Sequence, residues 1–328
     1  MTDHSFLKDK TILITGGTGT FGQAFVKKLL AIPEIKKIII FSRDEFKQSV
    51  MQGEIKDPRV RYFLGDIRDL PRLDRAFNDI DIVVHAAALK QVPALEYNPL
   101  ESIKTNVMGT QNVVDAALNN NVEKVLFISS DKAVQPVNLY GASKLCAERL
   151  VIAANAYRGM KKKTMFSVAR YGNVIGSRGS IVELVAKRRH TGVLPLTDEK
   201  MTRFWIKVDN VMNVILNGLE IMEGGEIFVP KMKSLKVIDV LSTLAPECRL
   251  ENVGVRPGEK MHEILITEYE AKRAKDVGEM YAVLPEFSDV HAPSKHKDKK
   301  SFPENSIYES SHKDFLLPKE MAKDILES

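Results

Sequence analysis

The sequence predicts an α/β fold, a doubly wound parallel sheet with a smaller C-terminal lobe, on three observations. Short β-branched runs alternate with helical patterns through the first half of the chain. Those runs are apolar at consecutive positions, as strands covered on both faces must be. The first run leads directly into a glycine-rich turn that opens an amphipathic helix, the start of a βαβ unit.

The expected strands are TILIT (11–15), KIIIF (37–41), VRYFL (60–64), DIVVHAA (81–87), KVLFISS (124–130) and TMFSVAR (164–170). Helical patterns fall at 20–31, 45–52, 99–119 and 140–158. From about residue 171 the pattern loosens into loops such as YGNVIGSRGS and PLTDEKMTRFW, with helices near 208–222 and 236–244. The expected organisation is a sheet-bearing half over 1–170 to which some later segments return, a smaller lobe over 171–287, and a polar excursion with a short final helix over 288–328.

With 328 residues, 44% hydrophobic and 28% charged, the chain is neither disordered nor fibrous and can bury a core without staples. Two cysteines, Cys146 and Cys248, exclude a disulfide framework and a four-cysteine metal site. The seven histidines show no ligand spacing, so no metal is expected. No apolar run approaches the ~20 residues needed to cross a bilayer. The opening MTDHSFLKDK lacks the basic-then-apolar order of a signal peptide, so a cytoplasmic location is expected. The 48 Lys+Arg exceed the 43 Asp+Glu by only five. Basic runs at 161–163, 187–189 and 295–300 are not interleaved with aromatics or set in a recognition motif. They read as solvated surface, so nucleic acid is not an expected partner and an anionic small molecule is.

The chemistry-bearing motifs sit at strand ends. TGGTGTFG spaces Gly16, Gly19 and Gly22 as G-x-x-G-x-x-G, with Thr18, Thr20 and Phe21 between them. Glycines there let the backbone approach a pyrophosphate at a helix N-terminus, the phosphate-binding turn of a Rossmann-type sheet. The second strand ends in Ser42-Arg43-Asp44. An acidic residue at this place binds the ribose 2′-hydroxyl of NAD, whereas an arginine suits a 2′-phosphate. Ser42 and Arg43 therefore favour NADP, and Asp44 keeps NAD open if the strand runs longer. Asp66 and Ile67 after the third strand, and Ala86, Ala87, Ala88 and Lys90 after the fourth, are further candidate cofactor contacts. His85 on an apolar strand reads as structural, and Trp205 as packing. Tyr140 and Lys144 form Y-x-x-x-K, which places both side chains on one helix face. A lysine ammonium there can lower the tyrosine pKa and hold a nicotinamide ribose, making Tyr140 a candidate acid/base.

TGGTGTFG, HAAA at 85–88 and YGASK together resemble the extended short-chain dehydrogenase/reductase superfamily, whose members act on nucleotide sugars. ISSDKAVQPVNLYGASK is similar to the UDP-N-acetylglucosamine 4,6-dehydratases, in which an Asp-Lys pair replaces the Asp-Glu pair of hexose dehydratases. HAAALKQVPALEYNP, RYGNVIGSRGS, TDEKMTRFWI, GGEIFVP and RPGEKMHE extend the likeness over roughly 10–285. Within that family the chain looks most like the short, soluble, carbon-5-inverting enzymes that start pseudaminic acid synthesis. Longer membrane-bound relatives carry an extra N-terminal region, which this sequence lacks, and commonly a Met at the position of Tyr140.

The resemblance implies hydride transfer from sugar carbon 4 to the cofactor, loss of water across carbons 5 and 6, and hydride return to carbon 6. Tyr140 would take the 4-hydroxyl proton, aided by Ser129 or Ser130. Lys132 would serve as the carbon-5 base and Asp131 as proton donor to the leaving 6-hydroxyl. Adjacent residues in a strand point to opposite faces, so both reach one sugar only past the strand end. Arg256 and Glu259 in RPGEK are the implied pyrophosphate and ribose contacts. Lys90, Asn173, Arg178, Thr202 and Arg203 are further candidates for gripping UDP-N-acetylglucosamine. The resemblance also implies a homo-oligomer, a dimer or hexamer.

Overall fold

The computed structural model describes residues 4–159, 163–177, 179–286 and 294–327. Six strands form the centre of one large sheet: β1 (Thr11–Thr15), β2 (Lys37–Ser42), β3 (Val60–Leu64), β4 (Ile82–His85), β5 (Lys124–Ser130) and β6 (Met165–Tyr171). They lie in the order β3-β2-β1-β4-β5-β6, and all neighbours are parallel. The sheet is fully covered where it matters: every residue of β1 and β4 is buried. That burial explains the unbroken apolar runs.

The later half of the chain returns to this sheet. Ile227–Pro230 pairs in parallel with β6, and Met280–Val283 and Ala274–Asp276 follow antiparallel, completing nine strands. The smaller lobe has its own core of Val185, Leu194, Leu196, Met201, Val237 and Leu241. A three-stranded sheet of Asn173–Val174, Thr202–Ile206 and Lys233–Lys236 joins it to the large one. Of the expected polar excursion, residues 288–293 and 328 lie outside the described residues. Lys297, Lys299 and Lys300 face solvent, while His296, Phe302 and Tyr308 beside them are buried and anchor the segment. No helix among the described residues is long and apolar enough to cross a membrane.

Two elements depart from the expected pattern. The fourth strand stops at His85 because Ala86 and Ala87 bend over the first turn, donating to the Thr15 carbonyl and hydroxyl (both 3.2 Å). The expected 99–119 helix is instead Pro99–Ser102, a π-helical turn at Ile103–Met108, and Gly109–Asn119. A wider turn re-aims side chains. Here the buried Asn106 amide brackets Leu89, bonding its N–H (2.8 Å) and its carbonyl (2.9 Å), and also donates to Ser143 Oγ (2.9 Å).

Beneath the sheet's functional edge lies a buried ion cluster. Arg170, 1% exposed on β6, pairs with Glu148 of the Leu139–Tyr157 helix (2.7 Å) and with Glu270 (3.0 Å). Its remaining bonds go to Glu148 Oε1 (3.1 Å), Glu270 Oε2 (3.1 Å) and the Leu265 carbonyl (2.9 Å), so all five guanidinium N–H groups are used. Removing the cation would strand two buried carboxylates. Arg170→Met is therefore expected to cost about 3–5 kcal/mol of folding free energy, read from urea unfolding. A loss below about 1 kcal/mol would show that the cluster carries little of the fold.

Candidate active site

Parallel strands deliver their C-terminal ends to one edge, and the chain's motifs meet there. The crevice opens where the strand order reverses between β1 and β4, the usual ligand position in such sheets. A cleft of about 660 Å³ at that edge is lined by Gly16, Thr18, Gly19, Thr20, Phe21, Ser42, Arg43, Ile67, Ala86, Ala87, Ala88, Lys90, Lys132, Tyr140, Lys144 and Asn173.

The phosphate-binding turn has the geometry its glycines predict. Gly16 adopts φ +69°, and a Cβ there would sit 2.9 Å from Ala87 Cα. A Cβ on Gly22 would lie 2.4 Å from Gly17 Cα, so only glycine lets the Thr20–Leu30 helix pack this close to the turn. Gly19 caps that helix without any side-chain bond, leaving the first N–H groups for an anion.

At the end of β2, Asp44 lines the cleft and at the same time caps the following helix. It accepts from Lys47 N (2.9 Å) and pairs with the Lys47 ammonium, and these contacts hold its pKa below the usual carboxylate range. The Ser42 hydroxyl accepts from Gln48 Nε2 (3.0 Å). Arg43 and Lys47 remain half-exposed at the cleft wall. Lys47 was missed in the sequence because a lysine one helical turn past a strand has no motif. Asp66 does not line the cleft; it accepts from Arg68 (2.7 Å) and lies 3.6 Å from Arg43. Burial opposes its ionisation, but the arginines outweigh it and its pKa falls.

Tyr140 and Lys144 both reach the cleft from the Leu139–Tyr157 helix, capped by Asn138. Lys144 donates to the Ile128 carbonyl (2.5 Å) and sits 3.9 Å from the Phe127 ring centroid. Burial pushes its pKa down to about 7, and Glu148, engaged by Arg170, opposes this only partly. The expected lowering of the Tyr140 pKa by Lys144 is not found, and its pKa is raised instead. Burial raises it, aided by Asp131 and opposed by the Lys132 ammonium and the neighbouring Ser130 hydroxyl. His85 is a buried structural residue, bonded to Thr15 Oγ1 (2.6 Å) and Thr110 Oγ1 (3.0 Å); burial and Lys144 push it down to about 3, so it is neutral.

Past β5 the chain leaves extended geometry in a single tight turn, Asp131–Ala133, with Ser130 as its cap. The strand alternation ends there. Lys132 enters the cleft, while Asp131 sits behind it, fully buried, with Oδ1 accepting from Ser130 Oγ (2.7 Å) and Lys132 Nζ (3.0 Å). Asp131 Oδ2 has no hydrogen-bond partner. Glu263, buried and 3.6 Å from Lys132 Nζ, adds a second carboxylate. Burial opposes the Lys132 ammonium, but Asp131 and Glu263 outweigh it and raise the lysine's pKa. The sequence offered Glu263 only as the last letter of RPGEKMHE.

The other substrate candidates divide. Asn173 and Lys90 line the cleft. Thr202 and Arg203 are buried away from it: Thr202 bonds Ser310 Oγ (2.7 Å), and Arg203 holds the carbonyls of Thr202 (2.8 Å), Lys260 (2.9 Å) and Met261 (3.2 Å). Arg256 is exposed, and its backbone N–H donates to Glu259 (3.4 Å); neither lines the cleft. Arg178 lies outside the described residues. Thr105, on the π-helical turn, and Ser129 are cleft residues whose buried hydroxyls lack partners. Elsewhere, Glu223, Glu226 and His296 come together, but Ser167, Ser294 and backbone N–H groups already occupy the two carboxylates.

Lys144 makes stability pH-dependent with a definite sign. Its folded pKa lies below its unfolded value, so between about pH 7 and about pH 10 the unfolded chain holds a proton the folded one lacks. Wild type should therefore gain on Lys144→Met as pH rises through that window, by at most about 1.4 kcal/mol per pH unit. Below about pH 7 the difference should level off. Urea midpoints across the range check this, and a flat difference would contradict it.

A family model described as polysaccharide biosynthesis protein matches residues 12–285. A UDP-N-acetylglucosamine 4,6-dehydratase (inverting) from Campylobacter jejuni is 49% identical over 283 residues, covering 86% of this chain and 84% of that one. A UDP-glucose 4-epimerase from Rickettsia bellii is 40% identical, covering 86% and 85%. The X-ray structure of Pen from Bacillus thuringiensis superposes with a TM-score of 0.90 at 35% identity, covering 97% of each chain. With the glycine turn, the Tyr140–Lys144 pair and the doubly wound sheet in place, the chain belongs to the polysaccharide biosynthesis protein family and has the fold of the extended short-chain dehydrogenases/reductases.

Proposed function

We propose that this chain is a UDP-N-acetylglucosamine 4,6-dehydratase that inverts carbon 5, giving the UDP-2-acetamido-2,6-dideoxy-β-L-arabino-hexos-4-ulose that begins pseudaminic acid synthesis. One observation carries the reading: the turn after β5 places Lys132 in the cleft with Tyr140 and keeps Asp131 hydrogen-bonded behind it. An epimerase has no step that needs that pair. The 49% identical inverting dehydratase supports the substrate and the stereochemistry.

NADP is the favoured cofactor, and when bound it would accept a hydride from the sugar and return it. Its diphosphate suits the uncapped helix start after Gly19, and a 2′-phosphate suits Arg43 and Lys47. Asp44 lines the same wall, but the Lys47 N–H and ammonium already engage its two oxygens, which favours the 2′-phosphate over the ribose hydroxyls of NAD. Tyr140 takes the proton of the 4-hydroxyl, with Ser130 as hydrogen-bond partner. Lys132 rests as an ammonium, so acting as a base requires it to pass a proton to Asp131 across their 3.0 Å bond. That transfer turns the ion pair into an amine and a carboxylic acid. Closing the cleft over a sugar favours the neutral pair, because desolvation penalises both charges. The amine then removes the carbon-5 proton, and Asp131 provides the proton for the departing 6-hydroxyl, relayed through Lys132. Lys90 and Asn173 face the space left for the sugar nucleotide.

We also assign the enzyme to the cytoplasm as a homo-oligomer. Exposed Tyr97, Leu100, Ile103 and Met108 lie on one stretch of chain beside the Leu139–Tyr157 helix, an apolar surface suited to a second copy.

Incubation with UDP-N-acetylglucosamine, followed by NMR, tests the reading. A 6-deoxy-4-ketosugar with inverted carbon-5 coupling is expected. UDP-N-acetylgalactosamine would instead support an epimerase, the activity named for the Rickettsia relative. Lys132→Ala should lower dehydration by roughly 10²–10⁴-fold and abolish deuterium uptake at carbon 5 from heavy water. Uptake at the wild-type rate would remove Lys132 from that role.

A further inference from the structure

We propose that Glu263 is a positioning residue that sets the protonation state of Lys132 by charge, from behind the catalytic turn and without touching the sugar. The inference rests on the proposed role of Lys132 as the carbon-5 base.

Glu263 lies just before the Ile264–Ile266 strand and is held there by its backbone. Its N–H donates to Ser310 Oγ (2.9 Å), and the Ser310 N–H donates to its carbonyl (2.9 Å). Ser310 is itself bonded to Thr202. The carboxylate thus has a fixed place, contributed by the late C-terminal segment.

What that carboxylate does there is electrostatic. Oε1 lies 3.6 Å from Lys132 Nζ and 3.9 Å from Arg203 Nε, and Oε2 lies 3.6 Å from Lys260 Nζ. Oε2 has no hydrogen-bond partner although it is buried. The mechanical tie between this segment and the catalytic turn is made by other groups. Lys260 Nζ donates to the Val134 carbonyl, Asn138 Nδ2 donates to the Gly258 carbonyl (2.7 Å), and Arg203 holds three carbonyls. A carboxylate left without donors next to a lysine contributes charge, not a latch.

The charges around the lysine are few. Lys132 faces Asp131 on its own turn, Glu263 and Arg203 from the C-terminal half, and the Tyr140 phenol. Glu263 faces Asp131, Lys132, Arg203 and Lys260, and burial together with Asp131 raises its pKa. Two carboxylates therefore compete for one ammonium. While Glu263 is ionised, Lys132 keeps its proton; when that charge is removed, Asp131 alone holds the ammonium and the amine forms more readily.

The test follows deuterium uptake at carbon 5 of UDP-N-acetylglucosamine against pH, with full-length wild type, Glu263→Gln and Glu263→Asp. Uptake by wild type that is lost in Lys132→Ala establishes the role on which the inference rests, so uptake surviving that substitution would overturn that role and not specifically Glu263. Glu263→Gln should shift the Lys132-governed limb of the profile to lower pH by about one to three units, with KM within about threefold of wild type. Glu263→Asp, which keeps the charge, should hold the limb within about half a unit of wild type, and this variant decides the matter if Glu263→Gln does not fold. A Glu263→Gln profile of unchanged shape, whatever its height, would reduce Glu263 to a structural residue. So would a Glu263→Asp shift as large as one unit.

Discussion

Parallel pairing is the constraint on which the rest of this structure depends. Strands that run the same way end on the same side, so each loop that follows a strand opens on one edge. Gly16 follows β1, Ser42 and Arg43 close β2, Lys90 follows β4, Lys132 follows β5 and Asn173 follows β6. Residues scattered over more than 150 positions become neighbours because the hydrogen-bond ladders allow no other arrangement of those ends. The register also explains why Thr15 can serve both Ala87 and His85: β1 and β4 pair with Thr15 opposite His85.

Two buried ion clusters in the molecule behave in opposite ways. Around Arg170, every guanidinium N–H has a carboxylate or carbonyl partner, so hydrogen bonds fully satisfy the cation. Around Lys132, Asp131 Oδ2 and Glu263 Oε2 lack donors, and the lysine contacts one carboxylate closely and the other only at 3.6 Å. Incomplete pairing leaves two buried carboxylate oxygens without a hydrogen bond beside one ammonium, the setting that the proposed proton transfer would use. The two clusters are also connected, because Glu148, held by Arg170, lies one helical turn from Lys144 and two from Tyr140. With Glu148 engaged, Lys144 is left buried with little compensation, which accounts for its pKa near 7.

The sheet order's raw material was readable because covered strands leave an unambiguous mark, and each of the six N-terminal strands lies within two residues of its expected bounds. The glycine turn and the Tyr140–Lys144 pair were readable because their spacing is itself the chemistry. The π-helical turn at 103–108 was not, since its widened hydrogen bonding leaves no periodic signature and only packing of Asn106 against Leu89 and Ser143 reveals it. Arg203, in the MTRF run that carries part of the family resemblance, was expected near substrate. The fold uses it instead to tie the carbonyls of Thr202, Lys260 and Met261 together.

Local sequence by itself determined the elements whose requirements are local: which runs are strands, where a chain can turn only with glycine, and which side chains share a helix face. It also specified that Asp131 and Lys132 must lie past the end of a strand to act together. Tertiary structure alone decided which charges surround that pair. Glu263 is 131 residues beyond Lys132 in the chain and reaches it only once the C-terminal segment packs against the Asp131–Ala133 turn. Electrostatic interaction depends on distance in space and on burial, and neither is written in the spacing of residues along a chain.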